Sequence, residues 1–138
     1  MTTGDHNTLR ILIADDEPDI LAIMAKKIKD AGYAVLTAGD GQEAWDLIGR
    51  ENPDIILLDL IMPKMDGYAV LRKLREDNAS PKWRPVIIIS AQGELDDIQK
   101  GFALEADHYI TKPCRMEDVL KGIQLMARLI PQRKTEGE

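Results

Sequence analysis

The chain has 138 residues and a net charge of −6, and 44% of its residues are hydrophobic while 30% are charged. This length fits one domain with a single core, and the composition excludes both a disordered chain and a disulfide-rich scaffold. The acidic balance argues against a free-standing nucleic-acid-binding protein, because binding to phosphate backbones needs a basic surface.

The sequence also predicts where the protein resides. Its apolar runs are too short to cross a bilayer, and the N-terminal residues do not have the pattern of a secretion signal. Residues 1–8 are polar and without periodicity, which predicts a flexible leader. The single cysteine, Cys114, agrees with a reducing compartment. We therefore predict a cytoplasmic protein without membrane insertion.

Strand-like and helix-like patterns alternate five times along the chain. Short apolar or β-branched runs predict strands at 9–14, 33–37, 86–89 and 107–111, and a further strand within 53–67 that has Asp59 at its carboxyl end. Apolar residues at helical spacing predict helices at 18–31, 41–51, 67–77, about 95–103 and 116–130. Pro131 is expected to end the last helix, so that one domain covers 9–130 and a charged tail covers 131–138. Alternation without hairpin signals predicts a parallel sheet with helices on both faces.

The third strand lies in the most distinctive stretch of the chain, PDIILLDLIMPKMDG. A continuous apolar run between proline and glycine is typical of a strand that is buried on both faces. Asp59 ends this run. Asp15 and Asp16 follow the first strand, Ser90 follows the fourth, and Lys112 follows the fifth. Since the carboxyl ends of parallel strands meet at one edge, we expect these side chains to lie together.

These side chains predict a particular chemistry. Three carboxylates repel one another unless a cation joins them, and oxygen ligands without histidine or cysteine favour Mg²⁺, with Mn²⁺ as an alternative. Lys112 adds a positive charge and Ser90 a hydroxyl, which together describe a pocket for a phosphoryl group. Asp59 is then either a metal ligand alone or also the nucleophile that accepts the phosphoryl group.

Several separated motifs resemble the receiver domain of two-component response regulators. They are Asp15-Asp16, Asp59 with the following MPKMDG, Ser90-Ala91, and the sequence YITKP that contains Lys112. The resemblance covers residues 9–130. It implies a flavodoxin-like, doubly wound α/β fold, with a five-stranded parallel sheet in the order 2-1-3-4-5 and five helices.

The resemblance implies a role for each site residue. Asp59 would be the phosphoacceptor, and Lys112 would pair with the phosphoryl oxygens. The metal would be bound by Asp16, by Asp15 mostly through water, by Asp59, and by the backbone carbonyl of Ile61.

The resemblance also implies how a signal would leave the site. Ser90 would hydrogen-bond the phosphoryl group, and Tyr109 would turn inward when Ser90 moves. The surface formed by the fourth helix, fifth strand and fifth helix would then change shape. The Lys112-Pro113 bond resembles the cis peptide of the family.

The function implied by the resemblance is a phosphorylation-dependent signalling switch, not an enzyme that turns over a separate substrate. The phosphoryl group would come from a sensor histidine kinase, a phosphotransfer protein or a small phosphodonor. The downstream target would be a protein on another chain, without direct contact to nucleic acid. The surface of the fourth helix, fifth strand and fifth helix could also pair two copies of the chain.

Three other interpretations stay open at this point. Asp15 and Asp16 could simply cap the first helix. The whole chain could be a receiver-shaped interaction module that no longer switches by phosphorylation. A phosphatase of the haloacid dehalogenase type would need a second acid two residues after Asp59, where Ile61 stands. If the chain is a switch, Ile61 and Gln92 would flank the phosphoryl group and influence its hydrolysis. We then predict an acyl phosphate that decays at an intermediate to slow rate.

Overall fold

A computed structural model describes residues 8–77, 84–91 and 106–137, with side chains described up to residue 130. Five parallel strands form one sheet in the order β2-β1-β3-β4-β5. The strands are β1 (Arg10–Ala14), β2 (Ala34–Ala38), β3 (Ile55–Asp59), β4 (Val86–Ala91) and β5 (His108–Lys112). The helices in the described ranges are α1 (Pro18–Asp30), α2 (Gly41–Glu51), α3 (Gly67–Glu76) and α4 (Met116–Gly137).

This architecture confirms the predicted flavodoxin-like fold and its strand order. The described ranges contain four of the five predicted helices. The remaining predicted helix, at about 95–103, lies outside the described residues, as does the leader at 1–7.

The sheet separates two apolar cores, one on each face. Side chains of α2 and α3 pack on one face, against Leu12, Ile56 and Ile88 among others. Side chains of α1 and α4 pack on the other face, against residues such as Ile13 and Leu57. Every residue of β3 is buried, which explains why this strand is a continuous apolar run and not an alternating one.

Local sequence signals account for the ends of three helices. Asp40 and Asp66 cap α2 and α3, since their carboxylates accept the backbone N–H groups of Glu43 at 2.8 Å and Ala69 at 2.9 Å. Pro18 opens α1, where its missing N–H costs nothing. Gly32 follows α1 with φ of +105°, a conformation that L side chains rarely adopt.

The prediction that Pro131 ends the last helix was wrong, because α4 continues through it to Gly137. A proline removes only its own backbone N–H and crowds one carbonyl of the preceding turn. The residues after it still donate to carbonyls four positions back, so a long helix can contain a proline. No helix in the described ranges combines the length and apolar character needed to span a bilayer.

Candidate functional site

The carboxyl ends of four neighbouring strands bring the predicted side chains to one edge. Asp15 directly follows β1, Asp59 is the last residue of β3, and Lys112 is the last residue of β5. Ser90 was predicted to follow the fourth strand, but β4 continues to Ala91, so Ser90 lies inside it. It pairs in register with Thr111 of β5. Parallel pairing therefore assembles a site from residues far apart in the chain.

The three acids of this edge form a compact cluster. One carboxylate oxygen from each of Asp15, Asp16 and Asp59 lies within 4.8 Å of the other two. Asp15 and Asp59 are only 3% and 7% exposed, whereas Asp16 is exposed to solvent. The cluster thus has two buried members and one member that faces outward.

Lys112 bridges the two buried carboxylates. Its Nζ donates to Oδ2 of Asp15 at 3.2 Å and to Oδ2 of Asp59 at 3.1 Å. The peptide bond that follows, Lys112-Pro113, is cis, as the resemblance implied. Two of the three clustered carboxylates therefore share the ammonium of Lys112, and Asp16 has no ion pair among the described residues, so negative charge is left in excess.

Backbone N–H groups orient the same two carboxylates. Oδ1 of Asp15 accepts the N–H of Glu17 at 2.9 Å, and Oδ1 of Asp59 accepts the N–H of Ile61 at 3.2 Å. Each acid thus uses one oxygen for its own loop and the other for Lys112. The helix-cap interpretation of Asp15 is incomplete, because Glu17 occupies the N-cap position of α1 and Asp15 also bonds Lys112.

Burial and charge act in opposite directions on the titration of these groups. Burial raises the pKa of Asp59, and the bonds and charge of Lys112 only partly offset it. Burial alone would lower the pKa of Lys112, but its bonds to Asp59 and Asp15 outweigh burial and raise it. Lys112 is therefore held charged, while the ionised form of Asp59 is disfavoured in the absence of a further cation.

The two residues of the predicted switch lie on neighbouring strands. Ser90 is 1% exposed, and its hydroxyl has no hydrogen-bond partner among the described residues. Tyr109 is half-buried with a buried hydroxyl, and it packs with Tyr68 against the core under α2 and α3. Burial raises the pKa of Tyr109, with smaller contributions from Tyr68 and Asp107.

Ile61 follows the cluster in the loop between β3 and α3, and its side chain is 59% exposed. The loop returns closely to Asp59, because the N–H of Gly67 donates to the carbonyl of Leu60 at 2.9 Å. A Cβ at Gly67 would overlap the Asp59 carbonyl oxygen, so only glycine fits here. Gln92, the second residue expected to flank the phosphoryl group, lies outside the described residues.

The donor set fits a small divalent cation. All the clustered donors are carboxylate oxygens, which are the ligands that Mg²⁺ prefers, and the cluster contains no sulfur or imidazole. The excess negative charge and the disfavoured ionisation of Asp59 would both be relieved by such an ion. Asp15, Asp16 and Asp59 are therefore the side chains that could hold it.

One contact near the site was not predicted from the sequence. The start of α2, at Asp40 and Gly41, packs against the loop between β3 and α3. The available signal was the glycine itself, since glycine is a poor helix former and stands here at the first position of a helix.

Comparison with known proteins agrees with the fold. Residues 11–124 match the family model of the response regulator receiver domain. The receiver domain of the Francisella response regulator 1452 superposes with a TM-score of 0.79 at 31% identity, covering 88% of this chain and 98% of that one. The chemotaxis response regulator CheY4 of Vibrio cholerae superposes with a TM-score of 0.79 at 29% identity, covering 86% of this chain and 98% of that one.

The chain therefore belongs to the response regulator receiver family, whose members are the signal-receiving domains of two-component systems. The transcriptional regulatory protein TcrA of Mycobacterium tuberculosis is 31% identical over 128 residues, which are 93% of this chain and 49% of that protein. The DNA-binding transcriptional regulator RpaA of Synechocystis is 38% identical over 132 residues, which are 94% of this chain and 54% of that protein. The chain spans about half the length of these relatives.

Proposed function

We propose that the protein is a signalling switch that accepts a phosphoryl group on Asp59 with the help of Mg²⁺. The observation that carries this proposal is the position of Asp59, which is buried beside two further carboxylates and bonded to Lys112 at 3.1 Å. A carboxylate held in this way is oriented for attack. Lys112, together with a cation bound by the clustered acids, would neutralise the charge of the phosphoryl group.

The proposed transfer needs few steps from the protein. A carboxylate oxygen of Asp59 forms a bond to phosphorus, and the bond from phosphorus to the donor's leaving atom breaks, with its electron pair going to the donor. Lys112 stays protonated throughout and pairs with the phosphoryl oxygens. Mg²⁺, when bound by Asp15, Asp16, Asp59 and the Ile61 carbonyl, supplies positive charge for the same oxygens.

The switch proposed for the family is supported here by the state of Ser90. A buried hydroxyl without a partner among the described residues is costly, so a phosphoryl oxygen at Asp59 offers Ser90 a bond it lacks. Tyr109 lies two residues before Thr111, the register partner of Ser90, and movement of Ser90 would reach it through β5. We propose that these two residues pass the signal to the surface formed by β5 and its neighbouring helices.

The surroundings of the site favour a protein as phosphodonor. An apolar groove of about 510 Å³ runs beside Lys112 and is lined by side chains of α1, including Ile20 and Ile23, and by Pro113 and Met116. Ile23 is 56% exposed and adds an accessible apolar side chain to the groove. We propose that a sensor histidine kinase or phosphotransfer protein covers this groove while it donates, and that small phosphodonors reach Asp59 without it.

Two further parts of the proposal concern output and location. A downstream target on another chain would bind the face that contains β5 and α4, where Leu125 and Leu129 are partly exposed, and a second copy of the chain could occupy the same face. We place the protein in the cytoplasm, where kinases of this type donate.

The direct experiment is to incubate the protein with Mg²⁺ and acetyl phosphate and to record its intact mass. We expect a gain of one phosphoryl group that needs Mg²⁺ and is absent in Asp59→Asn. A protein that gains no mass, while Asp59→Asn folds like wild type, would support the interaction module instead. Steady release of phosphate from unrelated phosphoesters would support a phosphatase.

A further inference from the structure

The first residue of α2 is in direct backbone contact with the loop that follows β3. A Cβ atom at Gly41 would overlap the carbonyl oxygen of Met65 and lie 2.5 Å from its carbonyl carbon. A Cβ at Gly39 or at Gly49 would meet nothing within 4 Å. Gly41 is therefore required by the approach of the loop, and not by the geometry of α2.

The loop makes a tight turn where it meets Gly41. The N–H of Met65 donates to the carbonyl of Pro63 at 2.8 Å, and Lys64 between them has φ of +70°. This three-residue turn is rare, and its central residue is in a region that side chains other than glycine avoid. Such a conformation persists only where surrounding contacts hold it.

The start of α2 provides those contacts. The carbonyl of Pro63 also accepts the N–H of Gly41 at 3.5 Å. Nζ of Lys64 lies 3.6 Å from Oδ2 of Asp40, whose Oδ1 accepts the N–H of Glu43 and caps α2. The ion pair is largely exposed on the lysine side and contributes little, so the backbone contact at Gly41 is the main restraint.

The same short loop contributes two of the groups proposed to bind the metal, the carboxylate of Asp59 at its start and the backbone carbonyl of Ile61. It begins at Asp59, whose Oδ1 accepts the N–H of Ile61, and it closes where Gly67 bonds the carbonyl of Leu60. One end of the loop is bonded to Asp59, the other end is bonded to Leu60, and the turn between them is held by Gly41. The position of the Ile61 carbonyl therefore depends on α2.

The geometry points to Gly41 as a positioning residue for the metal-binding loop: it holds the turn at 63–65 against α2 and so fixes the Ile61 carbonyl relative to Asp59. This inference rests on the proposed function. Gly41 touches neither the phosphoryl group nor the metal, and it acts through the backbone of the loop.

The test compares Gly41→Ala with Gly49→Ala, a glycine of the same helix with open space around it. Mg²⁺ affinity is measured from the rise of Tm with Mg²⁺ concentration, and phosphoryl uptake from intact mass with acetyl phosphate. Amide NMR signals of residues 60–67 report the loop in the metal-free protein. We expect Gly41→Ala to fold, to shift these signals, and to bind Mg²⁺ about 10- to 100-fold more weakly, as positioning residues of metal sites do.

Gly49→Ala is expected to match wild type in all three measurements. Asp40→Ala, which loosens the start of α2 without a clash, should weaken Mg²⁺ binding in the same direction by a smaller factor, and it replaces Gly41→Ala if that variant does not fold. Wild-type Mg²⁺ affinity in the folded variants would overturn the inference while leaving the proposed function intact. A wild-type protein that neither binds Mg²⁺ nor takes up phosphate would overturn both.

Discussion

Charged side chains collect at both ends of the parallel strands, and the two clusters are built differently. At the amino ends, Nη2 of Arg75 lies 2.8 Å from Oδ2 of Asp107, and Nη2 of Arg10 lies 2.8 Å from Oε1 of Glu51. Each of these two guanidinium groups thus pairs with a carboxylate. At the carboxyl ends, Lys112 is the only cation paired with the three clustered acids among the described residues, and it bonds just two of them, Asp15 and Asp59. Charge is matched at one end and left unbalanced at the other.

The matched cluster also bonds to the backbone. Oδ2 of Asp107 accepts the N–H of Val86 at 2.8 Å, and Nη1 of Arg75 donates to the carbonyl of Arg84 at 3.1 Å. These bonds tie α3 to the starts of β4 and β5. Matched charges with satisfied hydrogen bonds therefore stabilise the fold, whereas crowded acids at the carboxyl ends cost stability until a cation binds.

The largest expected effect separates the two clusters by function. Lys112→Met should slow phosphoryl uptake on Asp59 by about 100-fold or more, because it removes fixed positive charge from the transition state. Arg75→Met should leave uptake close to wild type but lower the free energy of unfolding by about 1–3 kcal/mol, since Asp107 loses its partner. Uptake is followed by intact mass and stability by urea unfolding. Equal slowing in both variants would contradict the comparison.

Removal of one metal ligand should come next in size. Asp16→Asn is expected to weaken Mg²⁺ binding by about 10-fold or more, as changes at metal sites typically do. Because Asp16 is exposed, the metal-free stability should stay within about 0.5 kcal/mol of wild type. Thermal unfolding across a Mg²⁺ series measures both quantities. Asp19→Asn, an exposed acid of the first turn of α1, is the control and should keep the full Mg²⁺ response.

A smaller effect concerns the lifetime of the acyl phosphate. Ile61 can obstruct water but cannot orient it, whereas the amide of asparagine can. Ile61→Asn should therefore shorten the lifetime of the acyl phosphate by about threefold to tenfold. A tenfold change corresponds to about 1.4 kcal/mol in the barrier to hydrolysis. Ile23→Asn is a matched control, since Ile23 and Ile61 are 56% and 59% exposed. Mass spectra after removal of the phosphodonor give the decay rate. A wild-type lifetime of only a few seconds would count against the role of Ile61.

The smallest expected effects are changes in Tm, and they have opposite signs at the carboxyl and amino ends of the strands. The pKa of Asp59 is raised by burial, so its ionised form destabilises the metal-free fold at neutral pH, and Asp59→Asn should raise Tm by a few degrees. Asp107→Asn should lower Tm, because it removes the charge opposite Arg75. Below its ordinary pKa of 3.8, Asp59 is protonated and its burial does not destabilise the fold. As the pH rises through its raised pKa, Asp59 ionises and the folded state loses that stability. The difference in Tm between wild type and Asp59→Asn should therefore narrow as the pH falls through the raised pKa of Asp59 towards 3.8. Thermal scans without Mg²⁺ at several pH values test this.

Much of the fold could be predicted because local patterns and tertiary structure agree. The apolar run before Asp59 predicted a fully buried strand, and its burial on both faces confirms this. Pro18 and Gly32 bound α1 as expected. The prediction at Pro131 was wrong because the cost of one missing hydrogen bond is local, while continuation of a helix depends on all the residues that follow.

The candidate site was predictable as a set of residues but not as a geometry. Strand order and strand ends place Asp15, Asp59 and Lys112 at one edge in any parallel sheet of this order. The roles assigned to them stay predictions that the experiments above test. The burial of the Ser90 hydroxyl inside β4 could not be predicted, since the run of apolar residues before it does not mark where the strand ends.

The amino-acid sequence alone determined which residues alternate as strands and helices, and hence which carboxylates and which lysine reach the same edge, because these depend on periodicity and chain order. Tertiary structure decided which oxygen of each acid bonds Lys112 and which bonds its own loop, and it decided that Gly41 lies against the turn at Lys64. These contacts join residues that no local pattern relates, such as Asp15 and Lys112, which are 97 positions apart. Their distances depend on how helices and loops pack on the finished sheet.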